Sequence, residues 1–280
     1  MNNDIRTIQE SRVIDYYINS SGVSKQKKQD LRAIKSNLLA DFRIYKLFGN
    51  LGKFHQVSSH ISKLSSSNAN TLELLYTSYL SKSGVRKDIF SNNLICPGCQ
   101  NNYATLRSTL DHYLPSSNYP NFYVFPLNLI PTCGDCNRIK NDVIPTNKQD
   151  NLPHPYFDEN LFKSNWLKIE IFNNKPLKYT FNISDVLNIN GKFKVLNHLI
   201  AYELEDTLFT HVDHIFEEND DDLKDIFQSD GQKGLKEYIY MLRQESYVSP
   251  SSDDYLPINL EYAFFDALYN SSWFCSQYYT

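Results

Sequence analysis

Two Cys-x-x-Cys pairs, Cys96/Cys99 and Cys133/Cys136, stand 33 residues apart. Four thiolates from two such turns can close a tetrahedron around zinc, each turn placing two sulfurs on one side of the ion. Pro97-Gly98 and Gly134-Asp135 supply residues suited to tight knuckles. The competing use of such pairs is redox or disulfide chemistry. No βαβ pattern surrounds either pair, and nothing in the sequence points to an oxidising compartment. A structural zinc on Cys96, Cys99, Cys133 and Cys136 is therefore expected. Cys275 has no companion and is expected to pack as a small hydrophobe.

Between and just after the knuckles lie Asp111-His112, Asn128, and Asn137-Arg138-Ile139-Lys140. An Asp supplies a hard oxygen for a divalent cation, and an Asn carbonyl is a neutral second ligand. A His of near-neutral pKa can take a proton from water. Zinc closure would draw Asp111 and Asn137 together across 25 intervening residues.

With these residues the segment Cys96 to Lys140 resembles the HNH endonuclease family and its ββα-metal motif. The likeness is to the zinc-stapled subgroup similar to methylation-dependent restriction nucleases, and it covers 45 of the 280 residues. The resemblance implies that His112 is the general base and that Asp111 and Asn137 hold one catalytic ion. It implies that Asn128 fixes the loop aiming His112, and that Lys140 and Arg138 contact phosphate. Cleavage would leave 5′-phosphate and 3′-hydroxyl ends. Asn137 replaces the final His of the name-giving pattern, and its carbonyl favours Mg²⁺ or Mn²⁺ over softer ions. The segments His154-Pro155-Tyr156-Phe157-Asp158 and Ala267-Leu268-Tyr269 with Trp273-Phe274 also look like parts of uncharacterised bacterial HNH proteins, some encoded near defence genes. From the residues alone, His154 reads as a packed turn histidine.

Charge divides the chain. Residues 1–90 hold 14 Lys+Arg against 7 Asp+Glu, residues 91–150 hold 4 and 4, and residues 151–280 hold 10 and 21. The net charge of −4 thus hides a basic front suited to phosphates and an acidic rear that is not. Ser24 to Asn50 reads as a capped amphipathic helix, with Lys25, Lys27, Lys28, Arg32 and Lys35 crowding its first half. Helices are also expected over 5–18, 71–80, 193–216, 235–247 and 260–269. Ser65 to Asn70 is expected to be a surface loop, and the acidic run 217–222 to separate two helices. Alternating patterns at 166–172 and 177–183 around Asn-Asn-Lys-Pro predict a β-hairpin. The fold class expected is α+β. Residues 1–90 form a basic helical region, 91–160 the HNH core with its four-cysteine zinc site, and 161–280 a hairpin plus an acidic helical region.

The longest uncharged stretch, His112 to Gly134, is broken by four prolines and cannot span a bilayer. The N-terminus lacks the apolar run of a secretory signal, so a cytoplasmic protein without membrane partners is expected. The functional expectation is a metal-dependent DNA endonuclease, the effector of a bacterial anti-phage or restriction system, with an ATPase or sensor subunit as candidate partner. Two alternatives stay open: a catalytically silent nucleic-acid-binding subunit that recruits another protein, and a nuclease directed at RNA.

Overall fold

A computed structural model describes residues 5–91, 95–100, 109–248 and 258–280 of the chain. Residues 92–94 and 101–108, inside the expected core segment 91–160, lie outside the described residues. Helices alternate with two small antiparallel sheets, an α+β architecture. The chain divides into two compact units, Met1–Glu159 and Asn160–Thr280.

The first unit carries helices α1 (Arg12–Asn19) and α2 (Lys25–Asn50). Ser24 caps α2 as its spacing predicts, its hydroxyl accepting from the Lys27 amide. Leu31, Leu38, Phe42 and Tyr45 lie buried along one face of α2, since steps of three, four and seven residues keep one side of a helix. The stretch from Ser65 to Asn70, expected to be a loop, instead opens helix α3 (Ser66–Leu74). Ser65 caps it through the Asn68 amide, and burial of Leu72 outweighs the weak helix propensity of Ser and Asn. The chain then widens into a π turn over Leu75–Tyr79, where the Leu80 amide reaches back to the Leu75 carbonyl, before α4 (Val85–Phe90). Strands β1 (Thr109–His112) and β2 (Leu129–Thr132) pair antiparallel, and α5 (Gly134–Lys140) follows directly. The Phe42 and Phe125 rings stack at 4.3 Å, which ties α2 to the segment joining the strands.

Register explains how so short a sheet persists. Thr109 faces Thr132 and His112 faces Leu129, and the ladder extends one pair further through the Tyr113 amide on the Asn128 carbonyl. Bonded pairs alternate in an antiparallel ladder, so the pairs Leu110/Pro131 and His112/Leu129 turn their backbone groups outward. Pro131 fits there because its missing N–H faces away from the partner strand. The outward carbonyls are met by side chains: Leu110 by the Tyr76 hydroxyl (2.8 Å), His112 by Lys140 Nζ (3.0 Å) and Leu129 by the Tyr156 hydroxyl (3.0 Å).

The boundary between the units falls in the short helix α6 (Glu159–Phe162). In the second unit β3 (Leu167–Phe172) and β4 (Lys178–Ile183) form the predicted hairpin. The expected helix over 193–216 is two helices, α7 (Ile189–Ala201) and the start of α8 (Leu204–Glu245). They part at Glu203, whose φ of 51° is left-handed; no Gly or Pro signals the break. The acidic run 217–222 lies within α8, because Leu208, Val212 and Leu223 bury one stripe while the acids occupy the others. Gly231, at φ 65°, turns α8 back on itself. Sixteen residues of straight helix would span about 24 Å, yet the Tyr238 hydroxyl lies 3.5 Å from Asp222. Helices α9 (Leu260–Asn270) and α10 (Ser272–Gln277) complete a core of Trp166, Leu208, Val212, Leu235, Phe264 and Phe274. Among the described residues no helix is long and apolar enough to cross a membrane.

Phe264 is fully buried at the centre of that core, with Phe265, Phe216 and Tyr179 rings around it. Phe264→Ala is expected to cost the second unit about 3–5 kcal/mol, read as a shifted midpoint in urea unfolding.

Candidate metal centre and active site

The four thiols of the two knuckles converge. The sulfurs of Cys96, Cys99, Cys133 and Cys136 all lie within 4.8 Å of one another, and among the described residues they form the one group able to hold a metal ion. The first knuckle closes when the Gln100 amide reaches the Cys96 carbonyl at 2.7 Å, with Gln100 left-handed at φ 57°. The second knuckle is a helix start rather than a free turn. Cys133 is the N-cap of α5, its sulfur accepting from the Cys136 amide at 3.4 Å. The Cys133 amide points at the Cys96 sulfur at 3.3 Å and joins the two knuckles. The thiols of Cys136 and Cys99, followed by backbone amides, hold Cys96 far below the ordinary thiol range. The thiols of Cys96 and Cys99, followed by burial, push Cys136 up. Four convergent sulfurs, three of them on buried residues, fit zinc, whose tetrahedral sites take four sulfurs at about 2.3 Å.

Because Cys133 caps α5, the knuckles bring the last turn of that helix against β1. Lys140 Nζ lies 3.1 and 2.9 Å from the two carboxylate oxygens of Asp111, with the side chains 1 % and 6 % exposed. Burial raises Asp111 to about 6, and the Lys140 charge offsets part of that rise. The expected phosphate contact from Lys140 is therefore corrected: its ammonium is enclosed and spent on Asp111 and the His112 carbonyl. Arg138 is exposed and only loosely paired with Asp135 at 3.6 Å. Asn137 is half-buried, one helical turn before Asn141, with no side-chain partner among the described residues. In this arrangement an ammonium neutralises the one carboxylate and encloses it, so a divalent ion on Asp111 and Asn137 requires Lys140 to move away from Asp111.

His112 ends β1 with Nε2 3.0 Å from the Tyr123 carbonyl. Its ring lies between Tyr76, 4.6 Å away on the π turn, and Tyr123 at 5.4 Å. A carbonyl only accepts, so Nε2 carries the proton and Nδ1 presents its lone pair. Among the described residues Nδ1 has no partner. Burial lowers His112 to about 4, the Tyr123 carbonyl pulls it back up, and the nearby Lys140 charge adds to the lowering. The imidazole is thus neutral at pH 7.

Asn128 is fully buried and clasps the backbone next to His112. Its Oδ1 accepts from the Leu114 amide at 2.8 Å and its Nδ2 donates to the Leu114 carbonyl at 3.1 Å. Spacing does not reveal Tyr76, Tyr123 or Tyr45, whose importance lies in contacts across 34, 11 and 83 residues of chain. Tyr45 is legible only as an apolar position of the helix after Ser24, and Tyr76 and Tyr123 only in the abundance of Tyr, 20 in all.

No protein-family model matches the chain, and no solved structure matches it. Among curated proteins it is similar to Protein ea31 of Escherichia phage lambda, at 32% identity over 120 residues. The match covers 39% of this chain and 40% of that protein, so the chain spans well under half the length of the relative it matches.

Four outcomes are expected. Elemental analysis is expected to find about one zinc per chain, and Cys133→Ser to lose both the metal and cooperative melting of the first unit, because the site contributes folding free energy directly. Lys140→Met, which leaves the Asp111 carboxylate buried and unpaired, is expected to cost about 3–5 kcal/mol in denaturant unfolding. Arg138→Ala is expected to stay within about 0.5 kcal/mol of the parent.

Proposed function

We propose that the chain is an HNH-type endonuclease that hydrolyses DNA phosphodiester bonds, with His112 as the general base. The observation that carries this reading is the setting of the imidazole, with Nε2 tied to the Tyr123 carbonyl and Nδ1 left as the acceptor. Nδ1 takes a proton from water as the water oxygen bonds to phosphorus. The bond from phosphorus to the 3′ oxygen breaks, and that oxygen takes a proton from solvent. The Tyr123 carbonyl dipole then stabilises the imidazolium that has formed. The antiparallel strands, the helix after the second knuckle and the Asn128 clasp support the ββα-metal core that the resemblance implies.

The substrate follows from charge. Lys25, Lys27 and Arg32 are exposed on the first half of α2, where cations oppose the helix dipole and are better used on an external anion. Such contacts hold a phosphate backbone without reading bases. Arg138 on α5 would act beside the scissile bond. The biological setting that the resemblance suggests, an anti-phage or restriction effector working with an ATPase or sensor subunit, belongs to the same proposal. So does its Mg²⁺ or Mn²⁺ on Asp111 and Asn137, which requires Lys140 to release Asp111.

Plasmid nicking by the purified chain tests the reading. His112→Ala is expected to lower nicking by at least about 10²-fold, with zinc content and melting unchanged. Loss of nicking in EDTA with recovery in Mg²⁺ or Mn²⁺ supports the divalent ion. Nicking that persists in EDTA, with zinc retained, leaves Lys140 as the counter-ion of Asp111. A parent protein that binds DNA but cuts neither DNA nor RNA under any of these conditions overturns the assignment in favour of a silent binding subunit.

A further inference from the structure

The segment His154-Pro155-Tyr156-Phe157-Asp158 has no part in the mechanism above, yet it reaches the site from behind. His154 is fully buried, its ring stacked on Phe54 at 5.2 Å and against Tyr113 at 4.2 Å. The Tyr156 amide donates to His154 Nδ1 at 3.1 Å, and a backbone amide can only donate, so Nδ1 is the bare nitrogen. In the neutral ring Nε2 then bears the proton. It lies 3.0 Å from the Tyr45 hydroxyl on α2. That hydroxyl, receiving from His154, gives its own proton onward, and Asn128 Oδ1 lies 3.0 Å away. The Leu127 carbonyl, at 3.4 Å, is the more distant acceptor.

Asn128 Oδ1 therefore takes two protons, from Tyr45 and from the Leu114 amide, while Nδ2 gives to the Leu114 carbonyl. Each donor in the series is determined by the one before it, so the carboxamide has a single orientation available. The same clasp includes the Tyr113 amide on the Asn128 carbonyl, and Tyr113 follows His112 directly. The Tyr156 and Tyr113 hydroxyls add ties from this turn to the Leu129 carbonyl and from the strand end to the Leu152 carbonyl.

We infer that Tyr45 and His154 are positioning residues of the active site: a directed hydrogen-bond series from the 154–158 turn through α2 fixes the Asn128 carboxamide, and through it the backbone that aims His112. The inference rests on the nuclease reading for its catalytic consequence but not for the series itself. Tyr45→Phe keeps the ring and deletes the one hydroxyl. His154→Phe fills a slot already walled by aromatic rings and deletes both nitrogens.

Two measurements on the full chain test it. Each single variant is expected to lose about tenfold in kcat for plasmid nicking with KM unchanged. The double variant is expected to lose about tenfold rather than a hundredfold, because residues acting in series are not additive. Independently of cutting, hydrogen exchange at the Leu114 amide is expected to quicken about tenfold in each variant, with zinc content unchanged. Unchanged Leu114 exchange in Tyr45→Phe overturns the series. Faster exchange with unaltered kcat overturns its catalytic role, as does full additivity in the double variant. If the parent chain does not cut, the nuclease reading falls and the exchange measurement alone decides the series. If His154→Phe does not fold, Tyr45→Phe decides both arms.

Discussion

Four sulfurs crowded within 4.8 Å of one another are an unfavourable arrangement unless a cation or shared protons relieve it, and the first unit is organised around that requirement. Closing the knuckles places the start of α5 against Cys96 and Cys99. The length of α5, seven residues, then decides what reaches the strand: its last residue, Lys140, meets Asp111. Cys133 carries a double duty, since the sulfur that belongs to the metal set also caps the helix. A metal held there would be coupled to the stability of the first turn of α5 through this one sulfur.

What spacing could reveal was revealed well. The two knuckles, the capped helix after Ser24 and the hairpin around residues 173–176 are local patterns whose physics lies within a few residues. The misreadings came where long-range burial chose between local options. Ser65 to Asn70 looks like a loop because Ser and Asn compete with the helix backbone, but Ser65 turns that tendency into a cap and Leu72 supplies the anchor. The break at Glu203 has no sequence signal, because a left-handed Glu is a cost imposed by the packing of two helices. The turn at Gly231 lies beyond the acidic run, whose charges mask the buried stripe of Leu208, Val212 and Leu223.

The site was legible in its residue types and less so in their roles. Asp111 and His112 are consecutive on β1, so their side chains take opposite faces, and Asn128 sits opposite Tyr113 at the end of the ladder. Lys140 illustrates the limit: a basic residue after a knuckle reads equally as a hand for phosphate or as a counter-charge, and only its enclosure beside Asp111 separates the two. The link between Tyr45 and His154 is not legible in the sequence for a different reason. Their contribution depends on which nitrogen carries a proton, and that follows from one backbone amide 2 residues along from the histidine.

The hairpin that bears His112 has both outer rims already occupied, by Tyr76 and Lys140 along β1 and by Tyr156 along β2. A bare pair of strands offers a template on which further chains can assemble, and proteins usually blunt it with charge or irregularity. Here phenols and an ammonium do so while also assembling the site. Among the described residues, any further strand laid along this ribbon would first have to displace the hydrogen bonds to the Leu110, His112 and Leu129 carbonyls.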